Sequence, residues 1–159
     1  MIIDDIAEFA SALPGMRPLI GLDLGTKTIG VAASDALLST ATPLETVKRT
    51  KFMQDATRLL EYATDREAAG VVLGLPRNMD GSEGPRAQST RSFAQNLAKL
   101  TEIPITYWDE RLSTVAAERA LLEADLTRKR RSEVIDAVAA AYILQGALDR
   151  LRHLKDQPL

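Results

Sequence analysis

Three acidic residues stand out by their settings: Asp23, Glu110 and Asp136. Asp23 lies near the end of the apolar run Leu19-Ile20-Gly21-Leu22-Asp23-Leu24, among neighbours that read as buried. A lone carboxylate there is costly unless something pairs with it. Gly21 and Gly25 leave room beside it for a backbone, a phosphate or a metal. Glu110 stands just past another apolar run, and Asp136 sits amid Ala137, Ala139, Ala140 and Ala141. Such small side chains let a helix lie close to a sheet. If that helix packs beside the first strand, Asp136 approaches Asp23. Carboxylates brought together repel and their pKa values rise. A divalent cation removes the conflict, and a pair of cations can activate water and stabilise the leaving oxygen of a phosphodiester. Each acid also has a plainer reading: Asp23 as a turn aspartate bonded to nearby N–H groups, Glu110 in a salt bridge to Arg111 or a lysine, Asp136 on a solvated helix face. Asp109, Glu133 and Asp35 rank below these three.

The rest of the composition narrows the chemistry. The 159 residues include no cysteine and a single histidine, His153, near the C-terminal end. Thiolate sites and disulfides are excluded, and histidine-based catalysis or a poly-histidine zinc site fits poorly. A metal site must be built from oxygen ligands, which favours Mg²⁺ or Mn²⁺. The net charge of −2 does not advertise a nucleic-acid binder, but clustered acids can mask a basic rim in the sum. Arg128-Lys129-Arg130-Arg131 reads either as a solvated charged loop or as a phosphate-binding rim beside an acidic site. Arg77, Arg86 and Arg91 can add to that rim, as can Ser82 and the backbone around Gly81 and Gly84. Lys27 and Arg111 are counted with it. The loop that carries Ser82 lacks the Gly-Lys-Ser/Thr ending of a Walker motif.

Periodicity supplies the elements that must position these residues. Ile2, Ile3, Ile6, Phe9, Ala10 and Leu13 are spaced for a helix over 2–13, ended by Pro14-Gly15. The Asp23 run and the run after Gly25-Thr26-Lys27-Thr28 form a hairpin. A third strand is expected over 37–48, edged or interrupted by Pro43. Thr50 is a candidate cap for a helix with Phe52, Ala56, Leu59, Leu60 and Ala63 on one face. Val71-Val72-Leu73-Gly74-Leu75 reads as a strand buried on both faces. The polar loop 76–86 lies at its C-terminal end, where open α/β sheets place ligands. A helix follows over about 85–100, with Pro85 in its first turn and Phe93, Leu97 and Leu100 inward. Ile103 to Trp108 is a fifth strand that delivers Asp109-Glu110-Arg111. Ser113 or Thr114 can cap the next helix, 125–131 is a charged loop, and a last helix covers about 132–151.

Helix crossovers imply parallel strands and the opening hairpins antiparallel ones. A mixed five-stranded sheet with helices on both faces satisfies both. This is the ribonuclease-H-like plan, an α/β fold. The length suits a single domain, 1–159, with 1–17 as an N-terminal helical extension. No apolar run approaches the roughly 18 residues of a membrane span. The acids at Asp4, Asp5 and Glu8 do not suit a signal peptide. No membrane partner and a cytoplasmic location are expected.

Four stretches, in this order, resemble the YqgF family, also called RuvX. They are Asp23-Leu24-Gly25-Thr26-Lys27-Thr28-Ile29-Gly30-Val31-Ala32, Gly74-Leu75-Pro76-Arg77-Asn78-Met79-Asp80-Gly81-Ser82-Glu83-Gly84, Trp108-Asp109-Glu110-Arg111-Leu112-Ser113-Thr114, and Asp136-Ala137-Val138-Ala139-Ala140 with Ile143-Leu144-Gln145. The resemblance covers about residues 18–150. It implies a ribonuclease-H-like fold, a cytoplasmic bacterial protein and metal-dependent nuclease chemistry. The family's acids carry over to Asp23, Glu110 and Asp136 as catalytic and metal-binding residues. Family members often have a lysine before the helix aspartate, where this chain has Ile135, with Arg130 and Arg131 upstream.

The leading expectation is an endonuclease on structured RNA, with precursor 16S rRNA as the substrate the resemblance implies and ribosomal particles as further partners. A DNA junction resolvase would use the same acids, and a two-fold symmetric junction favours a homodimer over a monomer. A third reading is a non-catalytic ribosome assembly factor with a relict acidic site. A fourth is an ATP-binding protein, because Asp-x-Gly-Thr also resembles the first phosphate motif of sugar kinases and actin. The chain lacks the second lobe expected there.

Overall fold

The computed structural model describes residues 1–112 and 128–156. A five-stranded sheet has the order β3-β2-β1-β4-β5. Its strands are β1 (Leu19–Leu24), β2 (Thr28–Ser34), β3 (Ala41–Lys48), β4 (Gly70–Leu75) and β5 (Ile105–Asp109). β1, β2 and β3 pair antiparallel, while β4 pairs parallel with both β1 and β5. The mixed sheet is therefore the one expected. Helices α1 (Ile6–Ala12), α2 (Phe52–Asp65), α3 (Pro85–Ala98) and α4 (Arg128–Asp156) surround it.

Strand alternation sorts the side chains onto two faces. Ile20, Leu22, Leu24, Ile29, Val31, Leu73 and Leu75 form one core with Ala56 and Leu59 of α2 and Phe93 and Leu97 of α3. Leu19, Ala32, Val72 and Trp108 form the other with Phe9 of α1 and Ala139, Ala140, Ile143, Leu144 and Leu148 of α4. β1 and β4 are buried along their whole length because both faces are covered.

Several boundaries differ from the sequence reading. The helix expected over 2–13 is only Ile6–Ala12, capped by Asp5, whose side chain accepts from the Ala7 N–H at 3.1 Å. The residues before it continue the sheet instead. Ile2 bridges Ile105 in parallel, the Ile105 N–H donates to the Met1 carbonyl and the Ile3 N–H to the Ile105 carbonyl, both at 2.8 Å. An apolar pair, Ile2-Ile3, fits a strand edge as well as a helix face, and the open edge of β5 decides the matter. Phe9 is fully buried, so this extension is part of the core.

β3 is an edge strand with a register shift between Val31 and Ala32 opposite Pro43, as its proline suggests. Lys51, not Thr50, stands at the N-cap of α2. Thr50 instead donates its N–H and hydroxyl to the buried Asp55 side chain. Leu100, expected inward, lies beyond α3 and is 42% exposed. Arg128 to Arg131 belong to the first turn of α4 rather than to a loop. A helix that lengthens toward its N-terminus absorbs a basic run whose propensities are all favourable. The caps proposed at Ser113 and Thr114 lie outside the described residues. No helix among the described residues is long and apolar enough to cross a membrane.

Candidate active site

Asp23 is the penultimate residue of β1, and it is only 4% exposed. Gly21, two residues before it, faces α4: a Cβ there would lie 2.7 Å from the Leu144 Cβ. Alternation puts Asp23 on that same face. Its antiparallel partner across the hairpin is Gly30. On its other side, the parallel register Leu22↔Leu73 carried one residue further sets Asp23 alongside Gly74.

Both glycines are spaces taken by another acid of the predicted set. A Cβ on Gly30 would lie 1.8 Å from the main-chain oxygen of Asp136. A Cβ on Gly74 would lie 2.7 Å from Glu110 Oε1 and 2.5 Å from Ile143 Cδ1. Only residues without a Cβ allow α4 and the Glu110 side chain this close. Glu110, Gly74, Asp23, Gly30 and Asp136 therefore form a row across the α4 face at one end of the sheet. Neighbouring strands are about 4.8 Å apart.

Each acid is delivered by a distinct local device. The Gly25 N–H donates to the Thr28 carbonyl at 2.8 Å and closes the hairpin turn just past Asp23. Glu110 opens a 3₁₀ turn, Glu110–Leu112, directly at the end of β5. Asp136 rides on α4 among buried alanines, and its carboxylate accepts a short hydrogen bond from the Thr28 hydroxyl. Thr28 was not singled out in the sequence. Its position two residues before Gly30, hence on the same face of β2, is the signal that marks it.

The donor set is oxygen only, as hard divalent cations require. The space that Gly74 leaves is filled by a carboxylate oxygen beside Asp23. Among the described residues no three His, Asp or Glu side chains stand close enough together to hold a metal ion. Asp136 points to Thr28 rather than into such a group.

The expected basic rim divides into paired and unpaired members. Arg111 lies against Asp109, with Nη2 2.7 Å from Oδ2, and also donates to the Met79 carbonyl at 3.2 Å. That guanidinium holds the Asp109 carboxyl below the usual range. Arg111 thus takes Asp109, the other acid of its turn, and ties the turn to the loop after β4. Within that loop Arg77 is 3.5 Å from Glu83, while Arg91 clasps Glu83 at 2.6 Å and reaches Asp4 at 3.3 Å. Arg91 holds the Glu83 carboxyl low. Ser82 donates its N–H and hydroxyl to Asp80, at 2.9 and 2.6 Å, and lowers that carboxyl in turn. Lys27 is exposed at the tip of the hairpin. Arg86 donates to the Leu24 carbonyl at 3.4 Å. Arg128, Lys129, Arg130 and Arg131 are placed as backbone on α4, and their side chains lie outside the described residues. Ile135, where a lysine is frequent in the resembled family, is buried.

Asp35 stands at the far end of the antiparallel hairpin from Asp23. Its carboxyl is lowered to about 2 by the Ser39 hydroxyl and the Thr40 N–H. It closes a turn there and does not join the row.

Comparison with known proteins agrees with this architecture. A family model described as "RuvX: Holliday junction resolvase" matches residues 17–150. A protein of Ruegeria pomeroyi named "Putative pre-16S rRNA nuclease" is 71% identical over 154 residues, which is 97% of this chain and 100% of that one. A protein of Paracoccus denitrificans with the same name is 68% identical over 97% of this chain and 98% of its own length. Among solved structures, RuvC of T. thermophilus in complex with a Holliday junction substrate aligns with a TM-score of 0.53. The alignment covers 86% of this chain and 96% of that one at 16% identity, so the likeness is one of fold. On the family match and these relatives together, the chain belongs to the RuvX family.

Proposed function

We propose that this protein is a metal-dependent endonuclease that hydrolyses phosphodiesters of structured nucleic acid, in 5′-end maturation of precursor 16S rRNA. The observation that carries the reading is the row Glu110–Gly74–Asp23–Gly30–Asp136, in which two glycines bring two acids to either side of a buried third. The name shared by relatives at about 70% identity directs the reading to precursor 16S rRNA.

Asp23, Glu110 and Asp136 line one row without forming a closed three-carboxylate site. They would hold Mg²⁺ or Mn²⁺ once drawn together around it, and the bound ion would lower the pKa of a water and offset the charge of a phosphate. The chain's own residues do the positioning. Asp23 is fixed by the most buried strand of the hairpin. Thr28 holds the Asp136 carboxylate beside that strand, and Gly74 gives Glu110 its place. Lys27, Arg86 and the basic first turn of α4 supply positive charge for the strand being cut. The expected site of action is the cytoplasm.

A DNA junction resolvase is the second reading, favoured by the description of the family whose model matches. The test is cleavage of a precursor 16S rRNA fragment and of a four-way DNA junction by wild type and Asp23→Asn, with Mg²⁺, Mn²⁺ or EDTA. Metal-dependent cutting of the RNA by wild type alone supports the first reading, and cutting of the junction alone the second. Binding without cleavage under every condition makes the protein an assembly factor.

A further inference from the structure

On the opposite face of β1 from Asp23, a cavity of about 220 Å³ opens beside the hairpin turn. Leu24, Thr26, Arg49, Arg86, Ser89 and Thr90 line it. Its two arginines differ from their neighbours. Arg77, Arg91 and Arg111 are each matched by a carboxylate. Among the described residues neither Arg49 nor Arg86 has an acidic partner.

Both are nevertheless held in place. Arg49 Nη1 donates to the Gly25 carbonyl at 2.7 Å, and Arg86 Nη2 to the Leu24 carbonyl at 3.4 Å. The Arg49 guanidinium also lies 5.7 Å from the Phe93 ring centroid. A guanidinium has five N–H donors, so these bonds orient each fork and leave others for a ligand. Two permanent cations on one cavity, anchored by consecutive carbonyls and not neutralised, attract an anion that accepts several hydrogen bonds. A phosphate does this, and Arg binds it in bidentate fashion. The hydroxyls of Thr26 and Ser89 add further donors.

We propose that this cavity is a phosphate subsite, in which Arg49 and Arg86 hold a backbone phosphate of the nucleic-acid strand near the one that meets Asp23. The proposal rests on the nuclease reading of the acid row. It adds Arg49, Thr26 and Ser89 to the substrate contacts and has the strand pass over the Gly25–Thr28 turn, from one face of β1 to the other.

The test uses the full chain carrying Asp23→Asn, so that binding is read without turnover. Ser89 is exposed on α3, so Ser89→Glu places a negative charge in the cavity without touching the core, and Arg49→Gln removes one cation. In the first arm, inorganic phosphate is titrated while backbone amide signals are followed. Shifts at Gly25, Thr26 and Ser89 that vanish in both variants are expected, and their absence overturns the subsite. In the second arm, a precursor 16S rRNA fragment and a four-way DNA junction are bound across a salt series. Each variant should bind roughly tenfold more weakly, a difference of about 1.4 kcal/mol. Each should also flatten the slope of log K against log salt by about one. Affinity and slope equal to the parent overturn the subsite and leave the nuclease reading standing. Binding of inorganic phosphate without binding of either nucleic acid shows a small-anion site only, and overturns the nuclease reading with it.

Discussion

A carboxylate oxygen of Glu110 fills the space that a side chain on Gly74 would need, 2.7 Å from the Cβ position. Gly74 is thus a part of the acid row although it has no functional group. In Gly74→Ala the new methyl would meet two movable ends, Glu110 Oε1 and Ile143 Cδ1. Stability should fall by only about 1–2 kcal/mol, while cleavage falls at least tenfold because Glu110 is displaced. Gly30→Ala would strike the main chain of α4 at Asp136, which cannot swing aside. We expect a loss of about 3 kcal/mol or more there. Thermal unfolding of the two variants, set beside their cleavage rates, checks this order.

Asp23→Asn preserves shape and removes the charge of the buried member of the row. Turnover should collapse by more than a hundredfold, with affinity for substrate within about threefold of wild type, since phosphate contacts elsewhere carry most of the binding. Equal losses of binding and cleavage would make Asp23 a structural residue.

Thr28 holds Asp136 through its hydroxyl. Thr28→Val keeps the branched shape and deletes the donor. A hydrogen bond to a charged group contributes about 1.5–3 kcal/mol, so a loss near the lower end is expected for this partly buried pair. The rate should drop with KM little changed, and Thr28→Ser should restore it. A Ser variant as impaired as Val would assign Thr28 to packing alone.

Acid should loosen the loop after β4 before it unfolds the sheet. Glu83 has its carboxyl lowered in the fold by Arg91, with Arg77 adding charge, and Arg91 also faces Asp4. A lowered folded pKa gives stability that is complete above the unfolded value, near 4.5, and is lost as pH falls below it. Protection factors of the Asn78 and Gly81 amides, both bonded within the loop, should fall below about pH 4.5 relative to the intrinsic exchange rate at each pH. Glu83→Gln should show the same loss of protection at neutral pH.

The chain has no cysteine, and its one histidine lies near the C-terminal end of α4. Neither can serve as a nucleophile or general base at the row. Products should therefore carry a 5′-phosphate and a 3′-hydroxyl, and activity should vanish in EDTA. End-group analysis of the cut RNA reads this directly, since 2′,3′-cyclic phosphate ends would refute it.

The five strands, the mixed sheet they form and the buried setting of Asp23 were legible because they depend on local signals. Val71 to Leu75 is apolar throughout, and Asp23 breaks an otherwise apolar run. What was not legible depends on contacts between distant segments. Thr28 meets Asp136 across more than a hundred residues, and Ile2 meets Ile105 in the same way. Arg49 follows a strand end and looks like any surface cation until the fold sets it against the Gly25 carbonyl. In the sequence Arg77 reads as a free phosphate ligand and Arg111 as a phosphate ligand or a partner of Glu110, and no pattern reveals that Glu83 and Asp109 are turned toward them.

The bridge from Ile2 to Ile105 has a further consequence. A sheet with exposed outer strands offers unpaired amides to any extended chain that passes, and so invites aggregation. This molecule pairs the start of one outer strand, at Ile105, with residues 1–3 and breaks the other with Pro43 and the register shift beside it. Trimming even the first three residues would leave the acid row in place and free the Ile105 amide and carbonyl for a second molecule to pair with.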